Sequence, residues 1–384
     1  MMLDLAIGRD ATIMFESMHN SPAAKAALCK LPVVTDPAFV CERVTGVGMP
    51  QDSKLYRELK DLVFSTKRDR AVPAFHVTAV LIAFLLSACW FVAWPTVCTG
   101  MLLGLTMTWV GTGVQHTANH GGLCRRPALN WLFGLTSDVV PGGSSLVWRY
   151  HHQVSHHQFC NDPTHDQDVH SSFPLVRLDE TQPRFWYHRF QAYYAPVMFY
   201  ALYFSIQAAN VQQLIAMRCF QTDFRGSSKA EVCLAFVLKL VHVGWLWILP
   251  ASLHGWRAMI VPWLACTATG GFVLATLFVV SHNLTATKNK PSTSDDWAKM
   301  QIETSASWGG HVASFFMGGL NLQIEHHLFP SLAHHHYAAI QPIVERTCAK
   351  HGVRYAKYAN LLHIYVDFVR YLRVMGEDTK LRGD

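Results

Sequence analysis

Three short histidine clusters hold the residues most able to do chemistry. The chain has 22 histidines in 384 residues. His116-Thr117-Ala118-Asn119-His120 sets two rings at i and i+4, on one face of a helix. His151-His152-Gln153-Val154-Ser155-His156-His157 contains the pattern HxxxHH as His152, His156 and His157. Gln323-Ile324-Glu325-His326-His327 puts two adjacent imidazoles after a Gln three residues earlier. Helical neighbours differ by about 100° in direction. Gln323 and His326 therefore serve one side of a site and His327 the other. Imidazole is the commonest transition-metal ligand, and an i,i+4 pair lets two rings grip one ion. One HxxxH alone is usually without function. Three clusters, the first two placed where a membrane segment ends, are a strong signal of a metal site.

Apolar runs are the scaffold that must position them. The chain is 51% hydrophobic and only 15% charged, against about 25% charged in a soluble domain. Residues 73–94 carry no charged side chain and one histidine, His76. That length spans a bilayer, and Pro95 breaks it. A second uncharged run, 96–115, follows at once, so a tight helical hairpin returns the chain to its starting side. His116 stands at that exit. Residues 236–252 and 259–281 form a second pair, with Arg257 the one charged residue between them. His282-Asn283 stands where the fourth crossing ends, which makes His282 a natural extra ligand, although a lone interfacial His is common. Lys239 sits early in its helix and is expected to snorkel to the cytoplasmic surface. Four crossings place both termini and every cluster on one side, as a single site requires. The expected fold is all-α and integral to the membrane. Four transmembrane helices form two hairpins, and a cytoplasmic helical cap holds a His-rich dimetal site. Residues 1–72 read as a cytosolic N-terminal segment and 73–384 as the membrane domain.

Other segments have more ordinary readings. The net charge of +6 reports Lys and Arg on the cytoplasmic side and gives no case for nucleic acid. Ten cysteines without a CxxC pair make neither a disulfide framework nor a zinc ribbon. Residues 128–150 are too interrupted to span and read as an interfacial or re-entrant piece. Carboxylates beside a His-rich site orient imidazoles through the second ring N–H. In the run Asn161-Asp162-Pro163-Thr164-His165-Asp166-Gln167-Asp168, Asp168 is the chosen candidate, set against a plain Asp-rich turn. His151 is read as an outer or solvated ring, and His334-His335-His336 as a solvated loop triplet.

The set HxxxH, HxxxHH and QxxHH, distributed around two hairpins, resembles the membrane-bound fatty acid desaturases. Gln323 in place of the first His of the third box resembles the front-end subgroup, which often carries a fused cytochrome b5 domain. Gln115-His116, Asn119-His120-Gly121, Ser281-His282-Asn283, Gln301-Ile302-Glu303-Thr304 and Gly318-Gly319-Leu320-Asn321 match it too. The family usually has Asp after the first His of box one, where this chain has Thr117. Near the start, Gly8-Arg9-Asp10-Ala11-Thr12, Phe15-Glu16 and His19-Asn20-Ser21 resemble the back half of a cytochrome b5 domain. That likeness makes His19 a haem ligand, and the front half with its His-Pro-Gly-Gly element is missing. Residues 1–72 are accordingly expected to be a remnant, with electrons supplied by a separate cytochrome b5.

The resemblance implies O₂-dependent removal of two hydrogens from an unactivated acyl chain. It implies two iron ions held by His116, His120, His152, His156, His157, His282, His326 and His327. Gln323 would be a weaker ligand or hold a water. Electrons would come from cytochrome b5 and its NADH-dependent reductase. The product would be a polyunsaturated fatty acyl lipid with a cis double bond between an existing one and the carboxyl end. The implied location is the endoplasmic reticulum membrane with the site facing the cytoplasm. A sphingolipid long-chain-base desaturase or a lipid hydroxylase would share the boxes. A His-lined metal transporter would be expected to place ionisable residues at mid-membrane, and these clusters lie at helix ends.

Overall fold

The structure is a computed structural model and describes residues 5–19, 22–33, 48–66, 68, 71–287 and 296–377. Four helices are long and apolar enough to cross a membrane: Ala74–Ala93, Val97–Asn119, Lys229–His254 and Trp256–Val279. They form the two expected hairpins of a helical membrane fold. The second continues through His116 and the third begins at Lys229, beyond the uncharged runs. A nucleated helix extends at little cost into polar sequence.

Local chemistry sets the turns. Pro95 follows the first span. Thr96 and Thr99 then cap the second span reciprocally: the Thr96 hydroxyl accepts the Thr99 N–H at 3.1 Å, and the Thr99 hydroxyl accepts the Thr96 N–H at 2.9 Å. Spans two and four are the centre of the bundle. Gly100 lies against Pro262, and Gly104 against Cys266 and Gly270. Thr108 Oγ1 donates to the Gly270 carbonyl at 3.3 Å. Both sequences advance together, so the two helices run parallel and leave the bundle on the same side. His116 and His282 therefore meet at one end.

Short elements complete that end. Helices Pro127–Gly134 and Thr136–Val139 make up the interrupted piece between 128 and 150. Lys239 corrects the expectation from sequence. It does not snorkel but is buried, its Nζ donating to the carbonyls of Gly142 and Gly143 at 2.8 and 3.2 Å and to Gln207 Oε1 at 3.1 Å. A buried ammonium needs fixed acceptors, and the side-chain-free Gly142-Gly143 turn brings two within reach. The connector after residue 283 lies partly outside the described residues, at 288–295.

Beyond the spans, helices Trp297–Glu303, His311–Met317, Gln323–Leu328, Tyr337–Lys350 and Leu361–Gly376 build a cap. Strands Ala306–Trp308 and Ala356–Tyr358 pair in parallel inside it. Two of the described N-terminal segments pack into buried cores. Leu55, Tyr56 and Leu59 join Ile324, Phe329 and Ile340, and Leu5 and Met14 join Leu146 and Tyr150. The Tyr56 hydroxyl donates to the Leu328 carbonyl at 2.9 Å. Helix Lys54–Phe64 thus secures the end of the segment that carries His326 and His327.

A Cβ on Gly104 would stand 2.3 Å from the Cys266 carbonyl oxygen, an approach that only small residues permit. Gly104→Val is expected to lower the thermal midpoint of the detergent-solubilised protein, at an overpacking cost of about 1–3 kcal/mol. Fluorescence-detected size-exclusion after heating reads this directly. An unchanged midpoint would contradict the close parallel packing.

Candidate metal centre

Two widened helical turns deliver the first two clusters. The second span ends in a π-helical turn, Gly111–His116, followed by Thr117–Asn119. Helix Ser145–Trp148 runs into a second, Arg149–His156, where the His157 N–H reaches the His152 carbonyl at 2.9 Å. Such turns recur at functional sites. Here the widening lets positions five apart share a face, so His152 Nε2 and His157 Nε2 stand 3.1 Å apart. The third cluster sits on the short helix Gln323–Leu328. The Gly318-Gly319 turn before it docks on the first widened turn. Gly318 has φ +58°, and a Cβ there would lie 2.3 Å from the Thr112 carbonyl oxygen.

All eight candidate histidines and Gln323 are buried and gathered in one place. His116, His120, His152 and His326 each offer a nitrogen within 4.8 Å of the others. His156, His282 and His327 form a second such group, with Cys160 beside them. His157 lies between the groups, stacked on His327 at 4.4 Å and edge-on to His120 at 4.6 Å. Gln323 brings its amide nitrogen to 3.0 Å from His282 Nε2. Trp148 is half-buried over the first group, its ring 4.4 Å from that of His152.

The arrangement fits metal ions. His116 Nε2 is 3.2 Å from His152 Nε2. Nitrogens about 3.0–3.4 Å apart are the spacing expected of neighbours on one ion, with bonds of about 2.0–2.1 Å. Both ring nitrogens of His120, His157 Nδ1, Gln323 Oε1, His326 Nε2 and His327 Nε2 are buried without a hydrogen-bond partner among the described residues. Burial first, and neighbouring imidazoles second, hold His120, His152, His157, His326 and His327 well below the ordinary histidine value. Burial brings His282 to about 3. Neutral rings are the form that binds a metal. His156 differs. Burial lowers it as well, but the carboxylates of Asp166 and Asp168 outweigh that and hold it at about 9.

Groups behind the rings set their orientation. His156 Nδ1 lies 3.0 Å from Asp166 Oδ2 and 3.2 Å from Asp168 Oδ2. Asp168, the residue singled out from sequence, reaches His156 but is partly exposed and shared with His151. Asp166 is fully buried and closer. Sequence offered no way to choose between carboxylates two positions apart in one turn. His282 Nδ1 lies 3.1 Å from the Thr304 carbonyl, His327 Nδ1 2.7 Å from Gln301 Oε1, and His326 Nδ1 3.2 Å from the Tyr337 hydroxyl. These contacts leave Nε2 of His326 and His327 for an ion, while His282 Nε2 faces the Gln323 amide. Cys160 Sγ is 3.4 Å from His282 Nδ1, on the ring edge turned to Thr304, and is therefore not aimed at the ion. Glu325 points away from the cluster, accepting from Ser307 Oγ at 2.8 Å and the Tyr355 hydroxyl at 2.6 Å. Burial raises its carboxyl to about 7.

His334 is not solvated, contrary to the sequence reading of its triplet. It is buried, with Nδ1 2.9 Å from Thr117 Oγ1 and Nε2 3.2 Å from His76 Nδ1. A repeat of three identical polar residues carries no sign of which one turns inward. His19 does not join the cluster. It stacks on Phe15 at 4.7 Å, with Nδ1 3.2 Å from the Phe15 carbonyl. Asn20 and Ser21 lie outside the described residues.

A family model described as fatty acid desaturase matches residues 90–359. The chain is 40% identical to the chloroplastic acyl-lipid (7-3)-desaturase of Chlamydomonas reinhardtii, over 98% of this chain and 76% of that protein. It is 30% identical to the acyl-lipid (8-3)-desaturase of Physcomitrium patens, over 93% and 80%. It is 28% identical to the sn-1 linoleoyl-lipid 6-desaturase of Arthrospira platensis, over 74% and 80%.

The geometry predicts two transition-metal ions per purified chain, counted by elemental mass spectrometry. His120→Ala, which removes two orphaned nitrogens from the first group, is expected to lower that count toward one while circular dichroism stays helical. Full metal content in the variant would remove His120 from the site.

Proposed function

This chain belongs to the fatty acid desaturase family, and from that premise we propose that it is a front-end desaturase working through a two-iron centre. It is an oxidoreductase of lipid metabolism set in the membrane by four spans. The proposed substrate is a polyunsaturated acyl chain carried on a lipid or on coenzyme A. The new cis double bond forms between an existing one and the carboxyl end. Relatives named acyl-lipid desaturases support the lipid-linked form.

One observation carries the reading: eight buried imidazoles, four of them with nitrogens that find no hydrogen-bond partner among the described residues, converge beyond the ends of spans two and four. A side-chain base cannot remove hydrogen from an unactivated methylene. Two iron ions held there would activate O₂, the oxidant, and two electrons would come from cytochrome b5 and its NADH-dependent reductase. Overall, O₂, two protons, two electrons and two substrate hydrogens leave as two waters. His116, His120, His152 and His326 are the proposed ligands of one ion and His156, His282 and His327 of the other. His157 lies between them, and Gln323 is a weaker ligand or holds a water. Burial keeps most of these rings neutral and excludes bulk water. Trp148 offers the acyl chain a flat apolar wall beside His152. Asp166 and Asp168 orient His156. We place the enzyme in the endoplasmic reticulum with its site on the cytoplasmic face, where cytochrome b5 can reach it.

Fatty acid profiling of a host that expresses the chain and is fed polyunsaturated substrates tests the activity and its position together. A new product with an added double bond on the carboxyl side of an existing one is expected. His326→Ala should abolish it while the protein stays in the membrane fraction. Undiminished product from that variant would defeat the metal assignment.

A further inference from the structure

The two nitrogen groups are supported unequally. In the group of His156, His282 and His327, every Nδ1 faces an acceptor: the Asp166 and Asp168 carboxylates, the Thr304 carbonyl and the Gln301 amide oxygen. In the group of His116, His120, His152 and His326, only His326 has a partner behind it that is not another ring, the Tyr337 hydroxyl, among the described residues. Both nitrogens of His120 are orphaned, and no described carboxylate is hydrogen-bonded to His116, His120 or His152. An acceptor on Nδ1–H fixes the tautomer, aims Nε2 and raises its basicity, and losing one typically costs about 10–100-fold in metal affinity.

Asp166 is the strongest of these supports. It is fully buried, whereas the Asp168 side chain is 44% exposed. Its Oδ2 also accepts the Asn161 N–H at 2.8 Å and its Oδ1 the Asp168 N–H at 2.9 Å. The carboxylate is therefore locked in place before any metal arrives. A buried anion behind one group also favours a cation there, since screening by solvent is weak.

We infer that the two metal positions are inequivalent: the ion held by His156, His282 and His327 is retained more tightly than the ion held by His116, His120, His152 and His326, and Asp166 is the positioning residue that sets the difference. This rests on the two-ion reading above.

The test uses the full-length protein in detergent, loaded anaerobically with ferrous iron and challenged with excess ferrozine. Absorbance follows iron release, and Mössbauer spectra follow the iron that remains. The wild type is expected to release one ion per chain at least about tenfold faster than the other. Asp166→Asn keeps the side-chain volume and removes the charge. It should speed the slow phase about 10–100-fold and leave the fast phase unchanged. Gln301→Leu removes the acceptor behind His327 without touching the 161–168 turn, and should speed the same phase. It carries the test alone if Asp166→Asn does not accumulate. Two retained ions released in a single phase by the wild type would overturn the inference. So would acceleration of the fast phase by either variant. A wild-type chain that loads fewer than two ions would instead overturn the two-ion reading.

Discussion

Six buried polar atoms of the histidine cluster find no hydrogen-bond partner among the described residues: two on His120 and one each on His157, Gln323, His326 and His327. Each such group costs about 1–3 kcal/mol if left unsatisfied. Together they would consume a large part of a typical folding stability of about 5–15 kcal/mol. On the two-ion reading, ions bound through one nitrogen of each ring would remove much of that penalty, and metal binding would be coupled to completion of the fold. The surrounding architecture follows from the need to bring these atoms together.

The membrane helices meet that need by direction. Because spans two and four run parallel with almost no side chain between them, the last turn of one and the residues just past the other arrive side by side. That geometry brings His116 and His120 to the same end of the bundle as His282. The remaining rings of the cluster come from outside the spans. His326 and His327 sit on a six-residue helix, too short to hold its shape alone. It is braced at its start by the Gly318-Gly319 turn and at its end by Tyr56. Helix Lys54–Phe64, which offers no ligand to the cluster, is in this way part of the scaffold of the third box.

Much of this was readable in the sequence because the signals are periodic or repeated. Uncharged runs give spans, and histidines near their ends give members of the buried cluster. What was not readable depends on which side of a turn faces inward. His152 and His157 meet only because a π-helical turn replaces α-helical spacing, and nothing in Arg149-Tyr150-His151 announces the change. Asp166 and Asp168 share one turn and one chemistry, and only burial separates them. Lys239 follows the usual pattern of a snorkelling residue until the Gly142-Gly143 carbonyls are seen beside it. The outer acceptors Thr304, Gln301 and Tyr337 come from segments with no metal-ligand pattern of their own.

Thr117 shows how a departure from pattern is accommodated. The residue after the first box-one histidine is usually an aspartate in this family. Here the Thr117 hydroxyl meets His334, which in turn meets His76 near the start of the first span. Burial holds the His334 imidazole well below its ordinary value. The neutral ring and neutral hydroxyl therefore pair without a buried charge to solvate. An aspartate at 117 would set a carboxylate beside that ring and require a compensating proton. The threonine avoids this requirement and still ties box one to its neighbours. The first span supplies none of the clustered ligands, yet His76 connects it through His334 to the turn that carries His116 and His120. Support that an acidic residue gives within the box is here drawn from a separate helix and from the histidine triplet after Pro330.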